Sequence, residues 1–165
     1  MANGGIDLFK VQTLPAFAEA RGIARLLAET DIPYVISFVV GRDGTLLDGK
    51  PLDQAIVDID DAVERPPASY NINCVHTSVF AAAMSVIRAR SPAAVERVLG
   101  IDANTSAKTP EELDGLQEID TEAPEDFGRN VFAMHEEVGI CYLGGCCGSS
   151  TQHIAQLAEQ CVCGG

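Results

Sequence analysis

SYNINCVHTSVFAAAMSVIRAR, residues 69–90, holds two periods in one run. SYNINCV (69–75) reads as a strand, and SVFAAAMSVIRAR (78–90) has its apolar residues at helical spacing. A strand running directly into a helix is one β-α unit, and the rest of the chain repeats it. Upstream, LDQAIVDIDDAVER (52–65) reads as a helix stopped by Pro66-Pro67. Before it, GRDGTLLDGKP (41–51) is a glycine-rich loop. YVISFVV (34–40), bounded by Pro33 and Gly41, reads as a strand buried on both faces. PAFAEARGIARLLAET (15–30) reads as a helix with Pro15 in its first turn, and IDLFKVQ (6–12) as the first strand. Downstream, 95–104 is the fourth strand candidate and 105–126 a polar loop. FGRNVFAMHEEVG (127–139) reads as a helix, ICYLGG (140–145) as the fifth strand, and STQHIAQLAEQC as a closing helix.

Strands and helices thus alternate five times, which predicts an α/β fold with a parallel sheet. The 165 residues suit one domain, 1–165. Residues able to do chemistry fall at or just past the predicted strand ends: Gln12-Thr13, Asn73-Cys74, Asp102 to Asn104, and Cys146-Cys147. In a parallel α/β architecture those ends share one face, where active sites form.

Composition narrows the function. With a net charge of -13 the chain is a poor ligand for nucleic acid or an anionic membrane, both of which repel it. The N-terminus MANGGIDLFK has no basic region followed by a long apolar run, and no stretch approaches the ~20 apolar residues of a membrane span. The expected compartment is the cytoplasm, where six cysteines read as thiols, metal ligands or catalytic groups rather than disulfides.

GGCCG (144–148) sets two cysteines between glycines that let the backbone bend so that both side chains point one way. If the third and fifth strands bring their carboxyl ends together, Cys74, Cys146 and Cys147 face one point. Three sulfur donors with an open fourth position describe a catalytic zinc site, and soft thiolates favour zinc over magnesium or calcium. Ser149 and Gln152 match a capping box for the last helix, whose N-terminal dipole would lower the thiol pKa values. The alternatives are buried structural cysteines, or a redox pair at Cys146-Cys147, although redox motifs usually space their cysteines as C-x-x-C. Cys141 reads as a core residue inside the last strand. Cys161 and Cys163 read as a C-terminal tail, either exposed or adding a ligand or redox pair. His76 reads as a helix-start residue or as support for the ligands behind Cys74. His135 and His153 suggest no role.

Ile72-Asn73-Cys74, GGCCG followed by Gln152-His153-Ile154, the opening IDLFKVQTLPAFAEA and the loop DGTLLDGKPLDQAI together resemble the C-terminal half of the zinc-dependent homocysteine S-methyltransferases. That family includes the betaine- and S-methylmethionine-using enzymes and the homocysteine domain of cobalamin-dependent methionine synthase. The resemblance implies a partial TIM (β/α)8 barrel, about its last five β-α units, with Zn2+ held by Cys74, Cys146 and Cys147. It implies methyl transfer to the thiol of homocysteine, giving methionine, with homocysteine and a methyl donor as partners and no catalytic group beyond the zinc site. Gln12, Thr13, Asn73 and Asn104 are then the expected substrate contacts. Where the family usually has Glu-Thr, with the carboxylate implied to bind the substrate ammonium, this chain has Gln12-Thr13. A barrel of this kind needs ~250 residues. The expectation is therefore a half-barrel with open edges that self-associates or pairs with a chain completing it. The competing expectation is a non-catalytic zinc-binding half-barrel.

Overall fold

Pro33 and Gly41 bracket β2, Tyr34–Phe38, and all five of its residues are buried, as expected of a strand covered on both faces. The computed structural model describes residues 5–108, 112, 114 and 120–163. Around β2 lie β1 (Phe9–Leu14), β3 (Ser69–Val75), β4 (Val98–Ala103) and β5 (Tyr142–Gly145). Every pairing is parallel and the strand order is β1-β2-β3-β4-β5, so each strand lies beside the next in sequence. The helices α1 (Phe17–Ala28), α2 (Leu52–Asp60), α3 (Thr77–Arg90), α4 (Pro92–Arg97) and α5 (Pro124–Val138) fill the crossovers, and α6 (Thr151–Cys163) follows β5. This is an α/β fold with a five-stranded all-parallel sheet, consistent with part of a (β/α)8 barrel. Among the described residues β1 and β5 each pair on one side only.

The two faces of the sheet differ in chemistry. Ile36, Phe38, Tyr70, Ile72 and Ile101 point toward the helices and pack with Leu52, Ile56, Phe80, Met84, Phe127 and Val131 in one core. Burying such side chains contributes about 1.5–3 kcal/mol each before conformational entropy is set against it. The alternate residues form the inner face, which is polar: Lys10 and Gln12 on β1, Ser37 on β2, Asn71 and Asn73 on β3, Asp102 on β4. In a flat sheet β1 and β4 would lie ~14 Å apart. Here Gln12 Nε2 donates to Asp102 Oδ2 at 3.0 Å and Lys10 Nζ to the same oxygen at 2.5 Å, so the sheet curls with this polar row on its concave side.

Several boundaries differ from the sequence reading. β1 starts at Phe9 rather than at residue 6, because Phe9 is where backbone pairing to Pro33 and β2 begins. The stretch read as strand from residue 95 begins as helix α4, with Pro92 in its first turn, and turns extended only at Val98. Cys141 precedes β5 and is exposed, not in the core; Ile140 takes the buried place. Cys161 lies on α6, not in a tail, and is exposed; the side chain of Cys163 lies outside the described residues, as does much of the 105–126 loop. Among the described residues no helix is long and apolar enough to cross a membrane.

Candidate metal centre

β3 carries Cys74 to the rim of the sheet by breaking its own alternation. In an unbroken strand Cys74 would face the helices, as Ile72 does. Instead Asn73 pairs with Asp102 and Val75 with Ala103, leaving Cys74 as a bulged extra residue at φ 59. A non-glycine residue in the left-handed region costs ~1–2 kcal/mol. Thr13, at the end of β1, has φ 63, so two such residues mark the same end of the sheet.

The other two sulfurs come from the turn after β5. Cys146 N–H donates to Ala103 O at 2.7 Å, extending the ladder by one bond. Cys147 is held from both sides: its N–H donates to Asn104 Oδ1 at 3.1 Å, and its carbonyl accepts from Thr105 N–H at 3.1 Å. Ser149 N–H and Oγ–H both donate to Cys146 O and close the turn. Gly148 sits at φ 82 against Thr105, and a Cβ there would lie 2.0 Å from Thr105 Oγ1.

The result is a compact sulfur triangle. Cys74 Sγ lies 3.4 Å from Cys147 Sγ, Cys146 Sγ lies 4.0 Å from Cys147 Sγ, and all three fall within 4.8 Å of one another. None is in a disulfide. Three ligands of a tetrahedral zinc at ~2.3 Å would sit about 3.8 Å apart, so the donor set fits that ion. Cys74 and Cys146 are half-buried and Cys147 is exposed, leaving one side open to solvent. Burial, helped by the hydrogen bond with Cys147 and the proximity of Cys146, pushes the Cys74 thiol up to about 12. A bound cation would offset that cost by stabilising the thiolate.

The expected substrate residues lie at the same end of the sheet in three groups. Asn73 is buried; its Oδ1 accepts from Thr13 N–H at 2.9 Å and from Ser37 Oγ at 2.7 Å, while its Nδ2 donates to Thr13 Oγ1 at 2.8 Å. Asn73 thereby ties the end of β1 across β2 to β3. Asn104 holds the Cys147 backbone. Gln12 lies with Lys10 against Asp102.

The capping residues fall one place later than the sequence reading put them. Ser150, not Ser149, precedes α6, and its N–H donates to His153 Nδ1 at 3.1 Å. His153 is buried, stands edge-on to Phe127 and donates from Nε2 to Glu122 O at 3.1 Å. His76 is the residue before α3: its Nδ1 accepts from Ser78 N–H, and its Nε2 donates to Glu122 Oε1 at 2.9 Å. Glu122 N–H in turn donates to Thr105 O, so both histidines brace the strand-end loop that holds Cys147. Glu122 was invisible as a partner because it lies inside the long polar loop, with no periodic pattern to place it. Lys10 carried a readable signal: it alternates with Phe9 and Val11, which pack on the core, and so shares a face with Gln12.

No curated protein matches this sequence. The homocysteine S-methyltransferase family matches it over residues 1–161, nearly its whole length. With the parallel β-α order and the sulfur triangle, this match shows that the chain belongs to the homocysteine S-methyltransferase family.

Proposed function

We propose that the chain performs zinc-dependent methyl transfer to the thiol of homocysteine, giving methionine. The observation that carries the reading is the convergence of Cys74, Cys146 and Cys147 within 4.8 Å at the carboxyl rim of the sheet, with one side open. Zinc held by the three sulfurs would supply Lewis acidity that keeps the substrate sulfur as a thiolate at neutral pH. In the transfer itself the substrate S–H proton leaves to solvent, a bond forms from that sulfur to the methyl carbon, and the bond from methyl to the donor's cationic or activated atom breaks. The residues of the chain bind and orient. Asn104 and Thr105 fix the Cys146-Cys147 turn. Asn73 and Thr13 fix the neighbouring wall, and Gln12, Asp102 and Lys10 line the concave face.

A second reading follows from the outer edges of β1 and β5, which have no strand partner among the described residues. The chain then binds zinc but needs a further chain, or a second copy, to wall the pocket before transfer is fast. The test is zinc content by metal analysis, then methionine formation from homocysteine with S-methylmethionine, betaine or methylcobalamin as donor. About one zinc per chain with turnover supports the first reading. Zinc without turnover supports the second, and no zinc retention overturns both.

A further inference from the structure

The concave face of the sheet holds a carboxylate across the arc from Gln12: that of Asp102. Its Oδ2 accepts from both Gln12 Nε2 and Lys10 Nζ. Its Oδ1 takes no partner among the described hydrogen bonds, and 17% of the side chain remains exposed. Gly144 makes room for it, since a Cβ there would lie 2.5 Å from Asp102 Oδ1. The backbone places this carboxylate beside the sulfurs: Asp102 pairs with Asn73, one residue before Cys74, and with Gly144, two residues before Cys146. Lys10, with 32% of its side chain exposed, brings the matching cation to the same spot.

A pair of opposite charges on the floor of a cleft, each partly open, matches a ligand head that itself carries both charges. We infer that Asp102 and Lys10 select the zwitterionic α-amino-acid head of the thiol substrate, Asp102 receiving the ammonium and Lys10 the carboxylate. This rests on the reading of the chain as a homocysteine methyltransferase and adds to it the residues that distinguish an amino acid from a simple thiol. A lone carboxylate would favour any amine, whereas the pair is electrically neutral and gains most from a neutral zwitterion whose two charges lie in the complementary order. Gln12 supports it by fixing the Asp102 carboxylate through a neutral donor, which a Glu at that position could not do without repelling it.

The test is calorimetric binding to the zinc-loaded full chain of three thiols: L-homocysteine, 4-mercaptobutanoate, which lacks the amino group, and 3-mercaptopropylamine, which lacks the carboxylate. The unaltered chain is expected to prefer homocysteine to each analogue by roughly ten- to a hundredfold, the range of one charge-assisted hydrogen bond. Asp102→Asn is expected to erase the preference over 4-mercaptobutanoate while leaving zinc stoichiometry and the affinity for that analogue in place. Lys10→Met is expected to erase the preference over 3-mercaptopropylamine. Should Asp102→Asn fail to fold, Lys10→Met decides alone. If the variants keep zinc and both preferences, the pair is only an internal ion pair and the inference falls. If the unaltered chain binds zinc but none of the three thiols, the homocysteine reading itself falls first.

Discussion

The backbone N–H of Cys147 is hydrogen-bonded to the side-chain oxygen of Asn104 at 3.1 Å, so the residue after β4 sets the conformation of the turn after β5. Asn104 N–H is in turn bonded to Val75 O, just past Cys74. One asparagine thus links the two segments that supply the sulfurs.

Asn104→Ala should therefore weaken metal binding without removing a ligand. The expected loss is ~10-fold or more in zinc affinity, the usual effect of losing a group that orients ligands, with at most about 1.5 kcal/mol of metal-free stability. Competition against a chromophoric chelator reads the first and urea unfolding the second. Unchanged affinity would show that the turn holds its shape without Asn104.

Cys74→Gly and Cys74→Ala separate the thiol from the backbone strain. Both should lose tight metal binding. Only the glycine relieves the left-handed φ of 59, so the metal-free glycine variant should be more stable than the alanine variant by ~1 kcal/mol. Equal unfolding midpoints for the two would mean the bulge carries no strain.

Gly148→Ala should be severe, because φ 82 and the contact with Thr105 Oγ1 act together. Gly139, at φ 87 with open space around its missing side chain, is the control for backbone strain alone. Gly139→Ala is expected to cost ~1 kcal/mol, and Gly148→Ala at least twice that with zinc retention impaired. Similar costs at the two positions would argue against the packing of Gly148 on Thr105.

The metal-free protein should lose stability in alkali through Cys74. Its thiol is raised from 9.0 to about 12 in the folded chain, chiefly by burial. Between those values the unfolded chain sheds the proton while the folded chain keeps it, so the unfolded state is favoured as pH rises above 9. Cys74→Ser, which does not titrate there, should gain stability relative to the unaltered protein on going from pH 7 to pH 10.5, as followed by thermal melting. Zinc affinity should rise with pH below the thiol range, since binding displaces protons. A pH-independent difference between Cys74→Ser and the unaltered protein would show that the thiol stays at its ordinary value.

The local alternation of periods determined the order of elements. SYNINCV forms the strand Ser69–Val75 at the bounds its composition suggests, and five β-α repeats imply the parallel sheet that forms. Strand-end position also brought out Cys74, Cys146 and Cys147, because parallel strands deliver their carboxyl ends to one rim whatever the details of packing. Three features were decided only in three dimensions. The bulge at Cys74 depends on a two-against-one pairing with Asp102 and Ala103, a property of two strands at once. The capping of α6 by Ser150 and His153 depends on Ser149 being drawn back to Cys146 O. The union of Lys10, Gln12 and Asp102 depends on the curl of the sheet. Residue alternation reveals which face a side chain occupies, but only curvature brings β1 within reach of β4.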